Sequence, residues 1–106
     1  MEYLKTVAEY TGKLPEKFFK ATLFRSDALL LGLNCLEPGQ MQEAHDHTDQ
    51  DKFYYVVEGE GLFQIGSASQ AARTGDVIWA PAGVVHGVTN RSKGRLTLLV
   101  GIAPAP

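Results

Sequence analysis

Glycine and proline divide this chain into short segments. Eleven glycines and five prolines are spread over 106 residues, and both residue types punctuate regular structure more often than they continue it. The segments between them are short and rich in apolar, aromatic and β-branched residues, a composition typical of strands. The predicted strands are Phe18–Phe24, Ala28–Leu36, Phe53–Val57, Leu62–Ile65, Asp76–Ala80, Val84–Thr89 and Arg95–Ile102.

Seven or more such strands with no helical pattern between them predict an all-β fold, an antiparallel sandwich or barrel. A parallel α/β sheet would need helices between its strands. One short helical turn is expected near the N-terminus, where Tyr3, Val7 and Tyr10 follow helical spacing. The length suits one domain. We divide it into an N-terminal arm (1–17), a barrel (18–102) and a tail (103–106).

Charge and composition exclude several classes of protein. Ten Lys and Arg against twelve Asp and Glu give a net charge of −2, so the basic surface that nucleic acids require is not expected. No apolar run reaches the roughly 18 residues of a membrane helix, and the first twenty residues lack the apolar core of a signal peptide. Cys35 is the single cysteine and is expected to be buried. These observations favour a cytoplasmic protein with no nucleic-acid or membrane partner.

The chemistry of the chain is concentrated in its three histidines. His45 and His47 are separated by one residue, a spacing that on an extended strand puts both rings on one face, about 6.5–7 Å apart at the backbone. Their nitrogens can then converge on one cation at about 2.0–2.1 Å. His86 joins them only if folding brings a second strand alongside. The acidic residues around the pair fit a solvated loop equally well, so spacing alone leaves both interpretations open.

Two longer patterns surround these histidines. The first runs Gly39, five residues, His45, one residue, His47, four residues, Lys52, six residues, Gly59. The second runs Gly75, five residues, Pro81, one residue, Gly83, two residues, His86, three residues, Asn90. Together they resemble the two motifs of the cupin superfamily, and the fifteen residues between them are typical of its small members.

The resemblance implies an antiparallel jelly-roll barrel, also called a double-stranded β-helix. It implies a divalent transition metal inside the barrel, held by His45, His47 and His86, beside a pocket for a small organic molecule. Imidazole ligands suit zinc, iron, nickel, manganese or copper. The four glycines of the motifs are expected where turns need positive φ or close backbone approach.

One position departs from the resemblance. Members of the family usually have a glutamate ligand where this chain has Lys52, and a protonated lysine has no lone pair for a metal. We favour three histidine ligands, with Asp51 as the candidate fourth ligand if the strand bulges or shifts by one residue. Glu43 and Asp49 share strand parity with the histidine pair and are alternatives. In the remaining alternatives Lys52 anchors an anionic ligand in a metal-free site or forms a salt bridge.

The resemblance leaves the reaction open, because one fold hosts many functions. A metal-dependent oxygenase, isomerase or decarboxylase is one hypothesis, with Lys52 and Tyr54 as catalytic candidates. A non-catalytic binding or sensor module that uses the same pocket is the second, and a structural barrel without metal is the third. Trp79 and Gln64 are weaker pocket candidates. The apolar segments Leu29–Leu36 and Leu96–Ile102 exceed what one small barrel face buries, so we expect a homodimer.

Overall fold

The computed structural model of the chain describes residues 2–46 and 49–106, which form an almost entirely β structure. A 3₁₀ helix covers Val7–Glu9. The strands of the described part are β1 (Phe19–Arg25), β2 (Leu30–Leu36), β3 (Met41–His45), β4 (Asp51–Glu58), β5 (Glu60–Ile65), β6 (Ala68–Arg73), β7 (Val77–Ala80), β8 (His86–Thr89) and β9 (Leu96–Ala103). No helix in these residues is long and apolar enough to cross a membrane.

The strands form two antiparallel sheets that pack face to face. One sheet has five strands in the order β1-β2-β9-β4-β7, and the other has four in the order β3-β8-β5-β6. The predicted all-β antiparallel fold is therefore confirmed, and each predicted strand overlaps an observed one. Two observed strands are absent from the predicted set: β3, whose histidine is considered only on a hypothetical extended strand, and β6. The residues of β6, Ala68–Arg73, are mostly small or polar and exposed, as suits an edge strand, so they carry no apolar alternation.

The core lies between the two sheets. In β4 and β9 alternate residues point inward, and residues of β5, β6 and β8 meet them from the opposite sheet. Burial of each large apolar side chain stabilises the fold by about 1.5–3 kcal/mol. The buried core residues are Leu36, Tyr54, Val56, Ala80, Leu96, Leu98, Val100 and Ile102 on the five-stranded sheet and Phe63, Ala72 and Val88 on the four-stranded sheet.

The N-terminal arm covers part of the outward face of the five-stranded sheet. Leu33 and Cys35 are fully buried, although they point away from the core between the sheets. The Nζ of Lys5 donates a hydrogen bond to the carbonyl oxygen of Leu23 (2.7 Å). Farther along the arm, Gly12 lies so close to the ring of Phe19 that a Cβ there would be 2.8 Å from it. The predicted burial of Cys35 is confirmed.

Glycines of the two sequence motifs occupy turns, as expected. Gly39, Gly59, Gly75 and Gly83 all have positive φ, between 79° and 95°. Two features exclude a side chain at Gly59. Its φ is positive, and a Cβ would lie 2.2 Å from the carbonyl oxygen of Arg95. The turn after β4 therefore requires glycine.

The C-terminal tail is held against the barrel by hydrogen bonds. The backbone N–H of Ala105 donates to the carbonyl oxygen of Asp27 (3.1 Å). The side chain of Gln50 donates to the carbonyl oxygen of Pro104 (3.1 Å), and that of Arg25 donates to Pro106. The tail has no strand or helix beyond Ala103, but its backbone has defined partners.

Candidate functional site

Two of the three histidines meet across neighbouring strands. His45 is the last residue of β3 and is directly opposite His86, the first residue of β8. Their ring centroids are 4.6 Å apart, with 56° between the ring planes. An ion bonded at about 2.0–2.1 Å lies roughly 3 Å from the centroid of each ring, so two rings on one ion are at most about 6 Å apart. The pair satisfies this limit.

A register irregularity in β3 produces this pairing. Gln42 pairs with Val88 and His45 pairs with His86, so three steps along β3 match two steps along β8. The extra residue places Gln42 and His45 on the same side of the sheet, a change of phase that a bulge causes. Gly87 allows it, because a Cβ on Gly87 would lie only 2.9 Å from the backbone nitrogen of Ala44.

Hydrogen bonds orient both rings in the same way. The Nδ1 of His45 lies 2.9 Å from the carbonyl oxygen of Glu43, and the Nδ1 of His86 lies 3.2 Å from that of Val84. A carbonyl oxygen only accepts, so in each neutral ring Nδ1 carries the proton and Nε2 carries the lone pair. Metal-binding histidines usually have this arrangement. The two described histidines therefore fit a metal through Nε2.

The third predicted ligand, His47, lies outside the described residues. Within residues 2–46 and 49–106 there is no group of three or more histidine, cysteine or acidic side chains arranged to hold a metal ion. The described part supplies two imidazoles, so a three-histidine centre needs His47 as its third ligand.

The acidic residues proposed as a fourth ligand are either hydrogen-bonded to a turn or exposed. The Oδ1 of Asp51 accepts a hydrogen bond from the backbone N–H of Ala82 (2.9 Å), so this carboxylate anchors the turn that precedes β8. Glu43 and Asp49 are exposed. Glu43 would share a face with His45 only on a regularly extended strand, and the irregularity in β3 separates Glu43 from the inward face that His45 shares with Gln42.

Lys52 points into the barrel. It lies on β4 between Ala80 of β7 and Ile102 of β9, and only 4% of its surface is exposed. Its Nζ lies 4.8 Å from the centroid of the Tyr54 ring, a distance at which an ammonium group is attracted by an aromatic face. Burial, with a contribution from the charge of Lys20, lowers the pKa of Lys52 to about 8.

Tyr54 connects Lys52 to the histidines. Its ring meets that of His86 edge to face, with centroids 6.2 Å apart. Its hydroxyl donates a 2.6 Å hydrogen bond to Oε1 of Gln42 on the opposite sheet. Burial raises the pKa of the Tyr54 hydroxyl above its ordinary value, so the group stays protonated and serves as a donor.

Residues 32–102 match the family described as Cupin domain. The chain belongs to the cupin family. The matched range contains all three histidines and both motifs identified in the sequence, so the resemblance is confirmed.

Relatives and solved structures agree with this assignment. This cupin is 30% identical over 80 residues to an uncharacterized protein of Streptomyces coelicolor, covering 76% of this chain and 75% of the relative. A crystal structure of a protein from Thermus thermophilus superposes with a TM-score of 0.95 at 38% identity, covering 99% of this chain and all of that one.

A third relative has a named ligand. The oxalate-binding protein of Thermotoga maritima is 30% identical over 67 residues, which are 63% of this chain. This cupin matches about 55% of that relative's length.

Some residues around the site were not found from the sequence. Gln42, which accepts the hydrogen bond of Tyr54, is a polar residue with no pattern that distinguishes it from a surface position. Gly87 did carry a signal, because an isolated glycine inside a strand suggests a bulge or a close backbone approach. The two weaker pocket candidates do not face the interior. Trp79 pairs with Phe53 and Gln64 pairs with Gly87, and both side chains are exposed.

Proposed function

We propose that this cupin binds one divalent transition metal through His45, His47 and His86 and binds a small organic molecule next to it, inside the barrel. The observation that carries the proposal is the pairing of His45 with His86, with both Nδ1 atoms on backbone carbonyl oxygens. His47 is the third ligand by its motif position, and Asp51 is a candidate fourth. When bound, such a metal supplies Lewis-acid activation of an oxygen ligand.

The surroundings of the histidine pair support a small-molecule pocket. Tyr54 and Lys52 bring a protonated hydroxyl and an ammonium group to the interior side of β4. A polar group on an otherwise apolar wall is the usual composition of a ligand site. The relative from Thermotoga maritima is named for binding oxalate, a small organic anion. The metal identities consistent with imidazole ligands are zinc, iron, nickel, manganese and copper.

Elemental analysis tests the metal centre. Purified wild-type protein should contain about one transition-metal ion per chain, and His47→Ala and His86→Ala should lose it while circular dichroism shows the same β content. Asp46→Ala is the matched control, because it removes an exposed acid beside the pair without changing a proposed ligand. Metal content that is unchanged in both histidine variants would show that the proposal is wrong.

Turnover assays distinguish a catalytic centre from one that only binds its ligand. An oxygenase consumes oxygen with an organic substrate, and an isomerase or decarboxylase converts its substrate without oxygen. A binding or sensor module retains the molecule unchanged through gel filtration. Assays on metal-loaded protein with small organic acids, diketones and phenols, followed by mass spectrometry of the recovered molecule, distinguish these outcomes.

We also propose that the protein is a homodimer that uses the outward face of the five-stranded sheet. The arm covers this face near β1 and β2. Near β4 and β7 the face is apolar and open, with Val77 66% and Trp79 56% exposed beside the partly exposed Tyr55. Exposed apolar side chains grouped on an edge strand are typical of a contact with another chain.

A further inference from the structure

Lys52 is a buried cation with no acidic partner in the part of the chain that the structure describes. Only 4% of its surface is exposed. The ion pair found among residues 2–46 and 49–106 joins Arg95 to Glu37, and no carboxylate lies within ion-pair distance of the Lys52 ammonium. A buried charge is normally paired, because an unpaired one is costly to remove from water.

The groups around this ammonium do not cancel its charge. The face of the Tyr54 ring is 4.8 Å away and gives partial compensation. Lys20 on β1, an exposed residue that pairs with Asn34, is close enough for its charge to act on Lys52. Lys52 therefore places one positive charge, without an acidic partner among the described residues, on the inner side of the barrel.

We propose that Lys52 binds the carboxylate of a small organic acid inside the barrel. The inference rests on the proposed function for the presence of a pocket beside the histidines, and it deepens that function by naming the charge of the molecule bound there. In the family motif the position of Lys52 usually holds a glutamate. In this cupin the fixed carboxylate is absent from that position, and the bound acid supplies one.

The number of donors favours a carboxylate over phosphate. The described interior offers one ammonium group, while the Tyr54 hydroxyl already donates to Gln42. A carboxylate carries a single negative charge, which the charge of Lys52 balances. Inorganic phosphate carries more than one negative charge on average near pH 7, spread over four oxygens that need partners, and the described interior does not provide enough donors for them.

Calorimetric titration of the purified full-length chain tests the proposal. The probes are sodium propionate and sodium benzoate, with propionamide and benzamide as neutral counterparts of matched shape and inorganic phosphate as the competing anion. Each titration uses the protein as purified and the protein dialysed against a chelator, so that direct binding of a probe to metal is recognised. Metal content is measured on the same samples.

Two variants isolate the ammonium group. Lys52→Met keeps the length of the side chain and removes its charge, and Lys93→Met makes the same change at an exposed turn. We expect at least one carboxylate to bind wild type at least about tenfold more tightly than its amide, and Lys52→Met to lose that preference by a similar factor. Lys93→Met should bind as wild type does.

The comparison of carboxylate with amide in wild type requires no variant, so it decides the question even if Lys52→Met does not fold. Equal affinity for each carboxylate and its amide would overturn the proposal, as would preferential binding of phosphate. A loss smaller than tenfold in a folded Lys52→Met protein would also overturn it. Carboxylate binding that depends on Lys52, in protein that contains no metal as purified, would support this inference and count against the metal centre. Protein that contains metal but shows no preference for a carboxylate over its amide would support the metal centre and overturn this inference.

Discussion

His45 faces His86 across β3 and β8, with 4.6 Å between the ring centroids, although a long stretch of chain separates the two residues. Both rings direct Nδ1 to a backbone carbonyl oxygen two residues earlier in the chain. The backbone that carries each ring therefore also sets its orientation.

Gly87→Ala should disrupt the histidine pair without changing a histidine. A Cβ at this position would lie 2.9 Å from the backbone nitrogen of Ala44 and 3.0 Å from the carbonyl oxygen of Gln42. The irregular segment of β3 would then move away from β8. We expect metal content to fall and the free energy of unfolding to drop by about 1–3 kcal/mol, measured by elemental analysis and chemical denaturation. Gly94→Ala, where a Cβ meets open space, is the control. Full metal content in Gly87→Ala would contradict this account of the bulge.

Lys52 should make stability rise with pH in the alkaline range. The folded state holds its pKa at about 8, below the ordinary 10.5, so the unfolded state binds more protons between these values. The penalty of burying the charge is complete below pH 8 and disappears by about pH 10.5, a gain on the order of 3 kcal/mol. Denaturation of chelator-treated protein from pH 7 to 10.5 measures it. The same series on Lys52→Met should lack this rise, and parallel pH profiles for the two proteins would refute the assignment.

Tyr54→Phe should destabilise the fold by about 1–3 kcal/mol, because it leaves the Oε1 of the buried Gln42 without its donor. Tyr55→Phe is the matched control, since Tyr55 is on the opposite face of β4 and more than a third exposed. Thermal unfolding compares the two variants. Equal stability of Tyr54→Phe and Tyr55→Phe would show that the hydrogen bond to Gln42 contributes little.

The raised pKa of Tyr54 can be measured by ultraviolet titration. Burial disfavours the phenolate, so above pH 10 the unfolded chain ionises at this residue while the folded protein does not, and stability falls as the pH rises above 10. In the difference between the ultraviolet titrations of wild type and Tyr54→Phe, phenolate absorbance from Tyr54 should be absent at pH 10. Half-complete ionisation of Tyr54 at pH 10 would contradict the burial argument.

Asp51 can be tested as a turn anchor and as a metal ligand with one pair of variants. Asp51→Asn keeps an oxygen that accepts from the backbone N–H of Ala82 and removes the charge, whereas Asp51→Ala removes both. We expect Asp51→Asn to keep its metal and its stability, and Asp51→Ala to lose about 1 kcal/mol. Loss of metal in Asp51→Asn would instead identify Asp51 as the fourth ligand.

The proposed dimer predicts a mass of about twice 11.6 kDa by light scattering at micromolar concentration. Trp79→Glu should shift the protein to the monomer, because it places a charge in the apolar face on β7. Gln64→Glu, which adds a charge on the other sheet, should stay dimeric. A monomeric wild-type protein would refute the proposal.

The sequence alone determined the fold class and the positions of the chemistry. Glycine and proline between short apolar segments predicted the antiparallel strands, since turns and strand alternation are local properties that residue types express directly. Strand alternation puts Lys52, Tyr54 and Val56 on one face of β4, and all three are buried there. The spacing of His45, His47 and His86 within the two motifs predicted the family.

Only the tertiary structure decided how these residues meet. The pairing of His45 with His86 depends on a bulge in β3 and on the absence of a side chain at Gly87 in β8. Residue alternation along a single strand predicts neither feature. The surroundings of Lys52 depend likewise on β1, β7 and β9, which approach it only after the sheets pack. Contacts between distant segments arise from packing and register, and these depend on the whole chain, whereas turns and strands depend mainly on neighbouring residues.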